Sequence, residues 1–177
     1  MVSNKLYLNL GDFNFKDISE SAGINGDKRW YSGVSIIDIN NDGFLDIYIA
    51  VGGESGPNNN VLYINNKDNT FTEKAGEFGI DDDGYSMHST FFDYDKDGDL
   101  DLYVVSGGNE SKELQPLSQD RIYLNNGKGL FTKLPLSLPF TNGATISSAD
   151  IDNDGIVDFF VGARSIPRSY GLSPYSF

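Results

Sequence analysis

Asp38-Ile39-Asn40-Asn41-Asp42-Gly43-Phe44-Leu45-Asp46 decides how this chain is read, because the pattern occurs three times. The second copy is Asp93-Tyr94-Asp95-Lys96-Asp97-Gly98-Asp99-Leu100-Asp101, and the third is Asp150-Ile151-Asp152-Asn153-Asp154-Gly155-Ile156-Val157-Asp158. Each reads D-x-[DN]-x-D-G-x-x-D, with oxygen-bearing side chains at loop positions 1, 3, 5 and 9 and glycine at 6. That alternation suits a chain wrapped around a hard cation such as calcium, which takes six to eight oxygens at roughly 2.3–2.6 Å. The glycine permits the sharp turn, and position 7 offers its main-chain carbonyl. The candidate ligands are Asp38, Asn40, Asp42, Phe44 (main chain) and Asp46 in the first loop. In the second they are Asp93, Asp95, Asp97, Asp99 (main chain) and Asp101, and in the third Asp150, Asp152, Asp154, Ile156 (main chain) and Asp158. A metal-free Asp/Gly turn is the competing reading of any single copy. Retention of every ligand position in three copies favours three Ca2+ sites. The second loop, with five aspartates, should bind tightest, and the first, with Asn40 at position 3, less tightly.

The flanks separate these loops from EF-hands, which carry a bidentate Glu at position 12 between two helices. Here position 12 is Ile49, Val104 or Val161. The surrounding runs, such as Val34-Ser35-Ile36-Ile37, Asp46-Ile47-Tyr48-Ile49-Ala50-Val51 and Leu102-Tyr103-Val104-Val105, are short, β-branched and aromatic. Such runs read as strands. Each loop therefore joins two strands, and its last carboxylate sits where the second strand begins.

Between the loops lies a second repeated unit. Leu6-Tyr7-Leu8-Asn9…Phe15 recurs as Leu62-Tyr63-Ile64-Asn65…Phe71 and as Ile122-Tyr123-Leu124-Asn125…Phe131, with six residues from Asn to Phe each time. The residues between, such as Asn125-Asn126-Gly127-Lys128-Gly129, are hairpin-turn material. A third unit, read as a linker, follows: Ser21-Ala22-Gly23-Ile24 and Glu77-Phe78-Gly79-Ile80, each ending nine residues beyond the Phe. One period is thus strand, cation loop, strand, long polar loop, strand, tight turn, strand, linker. Four short antiparallel strands per period is the content of a β-propeller blade.

On these residues the chain resembles the FG-GAP/VCBS repeat family, whose calcium-loop blades also build the head of integrin α chains. Phe15-Lys16-Asp17-Ile18, Ala22-Gly23-Ile24, Trp30-Tyr31-Ser32-Gly33 and the tail Pro167-Arg168-Ser169-Tyr170-Gly171-Leu172-Ser173-Pro174 resemble its secreted, cartilage-acidic-protein-like branch. The resemblance implies an all-β propeller, calcium between the first two strands of each blade, and an extracellular or cell-surface setting. It implies no single activity, because members include adhesion heads, lectins and domains attached to enzymes.

The phase of the repeat divides a single partial propeller, residues 1–177, into a second half-blade near 1–24, whole blades near 30–80 and 85–138, and a first half-blade near 142–177. Propellers typically need 4–8 blades, so one copy is expected to form an open arc with an exposed strand edge. This phase favours a piece of a longer chain whose remaining blades are missing. In the alternative, two copies exchange half-blades and close a six-bladed ring.

Composition narrows the partners. Net charge is −13, and 12 of the 26 acidic residues lie in the three loops, where cations neutralise them. Such acidity disfavours nucleic acid, whose phosphates need Lys/Arg clusters, and it disfavours anionic membranes. The chain has no cysteine, which removes disulfides, thiolate zinc sites and cysteine nucleophiles. No apolar run approaches the length of a membrane span, and Met1-Val2-Ser3-Asn4-Lys5 lacks the apolar core of a signal peptide.

Other residues weigh less. His88, the sole histidine, stands on a first strand and is read as structural or solvated. Trp30 and Tyr85, each eight residues ahead of a cation loop, are read as packing between blades, with a sugar platform as the alternative. Glu54, Glu110, Arg164 and Arg168 lie in loops on the face away from the cations, where a propeller would hold a protein or glycan ligand, and are read as solvated charge. The insertion from Glu110 to Asp120 is the longest of these loops, and length there hints at function. No catalytic set is assembled. The expected role is binding or adhesion with structural calcium; the alternative is the propeller of a polysaccharide lyase, a hydrolase or a lectin.

Overall fold

The computed structural model describes residues 3–53, 56–108, 116–136, 138, 140–164 and 166. Four antiparallel sheets follow one another along the chain. A two-stranded hairpin comes first, β1 (Tyr7–Asn9) and β2 (Phe15–Asp17). The first four-stranded sheet holds β3 (Trp30–Ile37), β4 (Asp46–Gly52), β5 (Val61–Asn65) and β6 (Phe71–Glu73) in sequence order. The second holds β7 (Ser86–Phe92), β8 (Asp101–Ser106), β9 (Arg121–Asn125) and β10 (Phe131–Lys133), again in order. A hairpin of β11 (Gly143–Ala149) and β12 (Asp158–Ala163) closes the series. These are two propeller blades flanked by complementary half-blades, as the repeat pattern predicts.

Position within a blade explains each strand's sequence. The second strands of the two complete blades are covered on both faces, so β4 and β8 are apolar almost throughout, as in Ile47-Tyr48-Ile49-Ala50-Val51. The first strands β3, β7 and β11 lie side by side, β3 against β7 and β7 against β11. Small hydroxyl residues allow that close approach. Ser32 Oγ donates to Ser86 O (2.7 Å), Ser35 Oγ donates to Ser89 O (2.8 Å), and Thr90 Oγ1 lies 3.2 Å from Ser148 Oγ.

Three apolar clusters fill the gaps between successive sheets. Ala22, Ile24, Ile47 and Val61 join the first hairpin to the first blade. Ile37, Tyr48, Leu62, Ile80, Leu102 and Phe131 join the two blades. Phe92, Tyr103, Ile122, Ile146 and Val161 join the second blade to the last hairpin.

The linkers after β2 and β6 are more ordered than their sequence announces. After β6 the chain makes a one-turn helix, α1 (Ala75–Phe78). Glu73 Oε1 accepts from the first N–H, that of Ala75 (2.9 Å), and Gly79 ends the turn at φ 74° while Ile80 N–H donates to Ala75 O (3.0 Å). Residues 17–24 repeat this arrangement without a full helical turn: Ser19 N–H donates to Asp17 Oδ1 (3.0 Å), Gly23 has φ 77°, and Ile24 N–H donates to Ser19 O (3.1 Å). Gly79 is fixed twice over, by its left-handed backbone and because a Cβ there would stand 2.7 Å from Phe131 O. Four residues are too few for a helical period to show in sequence.

The arc is open. Among the described residues β1 pairs only with β2 and β12 only with β11, so the two half-blades do not meet within one chain.

Leu102 is fully buried between the blades, whereas Leu10 is exposed in the first hairpin. Leu102→Ala should cost about 2–5 kcal/mol in denaturant unfolding by opening a cavity between the two sheets. Leu10→Ala should stay within about 0.5 kcal/mol of the parent.

Candidate metal centre

The three cation loops fold alike, and their backbone explains the spacing. Position 4 is left-handed in each, at Asn41 (φ 55°), Lys96 (φ 65°) and Asn153 (φ 61°), and so is position 6, at Gly43 (φ 85°), Gly98 (φ 93°) and Gly155 (φ 80°). A Cβ on any of these glycines would meet nothing within 4 Å, so backbone conformation rather than crowding selects glycine. The position-1 carboxylate gathers the turn. Asp38 accepts from Asp42 N–H (3.0 Å) and Gly43 N–H (2.8 Å), Asp93 from Asp97 N–H (3.1 Å) and Gly98 N–H (3.1 Å), and Asp150 from Asp154 N–H (3.2 Å) and Gly155 N–H (2.9 Å).

Carboxylate oxygens of Asp93, Asp95 and Asp101 lie within 4.8 Å of one another, and those of Asp150, Asp152 and Asp158 do the same. Two oxygens bonded to one ion at about 2.4 Å stand at most about 5 Å apart, so both groups fit a calcium-sized ion. These are positions 1, 3 and 9. The first loop has Asn40 at position 3, a neutral oxygen, and Asn40 Oδ1 accepts from Asp42 N–H (3.1 Å) as Asp95 Oδ1 accepts from Asp97 N–H (3.3 Å). Position 5 also braces the turn. Asp42, Asp97 and Asp154 each accept from the position-7 N–H, that of Phe44 (2.9 Å), Asp99 (2.9 Å) and Ile156 (2.7 Å), and neither Asp97 nor Asp154 belongs to the converging groups.

Position 9 is the structural pivot. Asp46 and Asp101 are buried at the starts of β4 and β8. Asp46 accepts from Ile39 N–H (3.1 Å) in its own loop and from Asn65 N–H (2.8 Å) at the end of β5. Asp101 accepts from Tyr94 N–H (2.8 Å) and Asn125 N–H (2.8 Å) in the same way. Burial raises both carboxyls above the ordinary aspartate range, against the pull of those N–H donors, and neighbouring loop carboxylates push in the same direction. In the third loop Asp158 accepts from Ile151 N–H (3.0 Å) and is exposed.

Asn65 and Asn125 brace the acidic loops, whereas the sequence reading placed them only as hairpin landmarks. Besides their N–H bonds, their side-chain amides donate to the loop carbonyls of Leu45 (3.1 Å) and Leu100 (3.3 Å). The signal was present: the same Asn ends the third strand in every repeat, six residues before the Phe.

The first loop also has a cation of its own. Lys67 Nζ lies 3.3 Å from Asp42 Oδ2 and 5.2 Å from the centroid of the Phe44 ring. Burial raises the Asp42 carboxyl, but the Phe44 N–H, Lys67 and Asn40 outweigh that and leave it below the ordinary range. The corresponding residue of the second blade is Gly127, which lies against the Asp99 carboxylate.

Candidates away from the loops do not converge. His88 Nδ1 accepts from Ile146 N–H (3.5 Å), and a Cβ on Gly33 would stand 2.8 Å from its ring, so the imidazole is packed among the three first strands. Trp30 is exposed and lies over Gly53 of its own blade, which corrects the expectation of inter-blade packing. Tyr85 is half-buried, with main-chain bonds to Leu117 and Gly107. Arg164 N–H donates to Asn142 O (3.2 Å), while Glu54, Glu110 and Arg168 lie outside the described residues.

The end of the long insertion is structural. Asp120 is buried and accepts from Tyr103 O–H (3.0 Å), Ser106 N–H (2.7 Å) and Thr141 O–H (3.0 Å), and burial raises its carboxyl. Arg121 beside it is buried too; its Nη2 lies 2.7 Å from both Asp82 Oδ1 and Ser86 Oγ, and its Nη1 donates to Ser106 Oγ (2.7 Å).

Two antiparallel four-stranded blades, two half-blades and one acidic loop per first hairpin define a partial β-propeller built from acidic-loop repeats. A family profile described as FG-GAP-like repeat matches residues 2–49, 38–104 and 106–161. This chain belongs to the FG-GAP-like repeat family. The match identifies the repeat and does not extend to the cartilage-acidic-protein-like branch. Comparison with curated proteins gave no match.

Removing the resident lysine should help the first loop. Lys67→Ala should raise its calcium affinity by up to about fivefold in calorimetric titration, since an exposed ion pair is worth about 0.2–1 kcal/mol. The second loop, with no such lysine, should not respond.

Protons and calcium should compete. The raised carboxyls of Asp46 and Asp101 favour the metal-free fold below the ordinary aspartate range, and that contribution is lost as pH rises through their raised values. A bound cation needs the same groups ionised. Calcium affinity measured from pH 7 to pH 4.5 should therefore start to fall above the ordinary aspartate pKa of about 3.9, with proton release on binding.

Proposed function

We propose that this chain is a calcium-binding propeller segment of a secreted or cell-surface protein, with a binding or adhesion role and calcium in a structural part. The observation that carries this reading is the convergence of carboxylates at positions 1, 3 and 9 of the second and third loops, on a hydrogen-bonded frame that the first loop repeats. An all-oxygen donor set with no histidine or cysteine suits a hard cation. When bound, calcium supplies charge neutralisation and crosslinks the two ends of each loop.

The chain's own residues do the rest. Asp38, Asp93 and Asp150 hold the turn closed, Asp46 and Asp101 tie it to the third strand, and the glycine at position 6 lets the chain double back. The rigid frame leaves the loops on the opposite face to meet a protein or glycan. There Trp30 offers an exposed aromatic surface flanked by Gly53, the kind of platform that stacks on apolar or sugar faces. Extracellular calcium, at millimolar levels, suits such sites. No helix among the described residues is long and apolar enough to cross a membrane.

Calcium titration tests the reading. Calorimetry should find three sites, and the melting temperature should rise with calcium, by the equivalent of about 2.7 kcal/mol per site at a hundredfold excess over Kd. Asp101→Asn should remove the tightest site and reduce that rise. A melting curve indifferent to calcium, fewer than three sites, or a preference for magnesium would overturn it.

A further inference from the structure

The two complete blades each carry a cation loop and, beside it, the tight turn between third and fourth strands, so each position in one has a counterpart in the other. Lys67 and Gly127 occupy the same place in that turn, two residues past the bracing Asn. Their backbones agree, with φ 69° and 70°, and their N–H groups donate to Asn65 Oδ1 (2.9 Å) and Asn125 Oδ1 (3.2 Å). Only the side chain differs. From the first turn an ammonium reaches to 3.3 Å from Asp42 Oδ2, with the Phe44 ring beneath it. In the second, the Asp99 carboxylate lies against Gly127 and leaves no room for a Cβ.

Position 3 differs in the same sense. Asp95 accepts from Asp97 N–H and brings a carboxylate oxygen to Asp93 and Asp101. Asn40 Oδ1 accepts from Asp42 N–H in the same way, and this turns its amide nitrogen toward Asp42 Oδ2 (3.2 Å). Asp42 Oδ2 therefore receives an amide and an ammonium, on the one carboxylate oxygen that Phe44 N–H leaves free. Among the described residues the Asp97 side chain accepts only from Asp99 N–H. Asn40, Phe44 and Lys67 each stand one charge unit more positive than Asp95, Asp99 and Gly127. Lys96, inside the second loop, forms no ion pair with it among the described residues.

We propose that Lys67 is a tethered cation that holds the first loop when calcium is scarce and that calcium must displace, so that this loop is a regulated site and the second and third are staples. The proposal rests on the calcium reading of the loops. An ammonium and a dication on one carboxylate oxygen repel each other at close range, so filling the first loop expels Lys67 from Asp42 and from the face of Phe44. Asn40 must also turn its oxygen to the ion and give up its bond with Asp42 N–H. Both steps oppose calcium in the first loop and have no equivalent in the second. The first loop therefore fills last, and as it fills it frees the side chain of the β5–β6 turn and uncovers an aromatic ring. Calcium thereby changes the surface of the first blade over a range in which the second is already saturated.

The position-6 glycines give each loop its own reporter, because Gly43, Gly98 and Gly155 N–H donate to the position-1 carboxylates. In a calcium titration followed by amide NMR at constant ionic strength, Gly98 should shift first and Gly43 at about tenfold higher calcium, since ligand charge sets affinity. The Lys67 side-chain signal should move with Gly43 and not with Gly98. Lys67→Met, which keeps the stem and drops the charge, should lower the Gly43 midpoint by about two- to fivefold and leave Gly98 in place. Asn40→Asp with Phe44→Asp and Lys67→Gly, which copies the second loop into the first, should bring the Gly43 midpoint to that of Gly98. If Gly43 and Gly98 shift together in the parent, or the Lys67 signal stays fixed while Gly43 moves, the lock is overturned and the calcium reading stands. If no glycine responds to calcium, the calcium reading falls and the lock with it.

Discussion

The buried carboxylate that opens the second strand of each complete blade holds three pieces of chain in one place. Asp46 bonds to its own loop, begins β4 and reaches across to the end of β5, and Asp101 repeats this in the next blade. A lone buried carboxylate is costly. Here the backbone donors on both sides offset much of that cost, and a cation would offset the remainder. The same group thus fixes strand register and shapes the loop, so fold and candidate site share one set of atoms.

Much of this was legible in the sequence because the repeat multiplies each weak signal. One D-x-[DN]-x-D-G run is ambiguous, but three copies at near-constant spacing between β-branched runs leave a strand–loop–strand unit as the consistent reading. Strand order and the open arc follow from the phase of that unit. Roles that depend on tertiary placement were less legible. Asn65 and Asn125 read as turn residues, and only the structure places their amides on the cation loop. Lys67 carries no motif, and only folding sets it beside Asp42. Trp30 carries the composition of a core residue, yet the first strand ends where its side chain faces solvent over Gly53.

The two complete blades also show where a repeat diverges. Asn60 in the first blade accepts from Val51 N–H (2.8 Å) and donates to Tyr48 Oη (2.8 Å). Asp120 stands at that position in the second blade and makes the equivalent bonds to Ser106 N–H and Tyr103 O–H. The next position changes from Val61 to Arg121, which is balanced by Asp82 on the linker between the blades. The exchange keeps the backbone frame and replaces an apolar contact with a buried ion pair. Such a pair is no firm source of stability, but it is sensitive to the loss of either partner.

Blades radiate from the first strands, so the separation there sets the wedge angle between neighbours. A Cβ on Gly33 of β3 would stand 2.5 Å from Met87 O of β7. Bulk at the hub would push adjacent sheets apart at their inner edges while the apolar clusters held them farther out. Neighbouring blades would become more nearly parallel, and more of them would be needed to complete a turn. The glycines and serines of the inner strands therefore act as a gauge of curvature: they govern how many repeats of this kind make a circle.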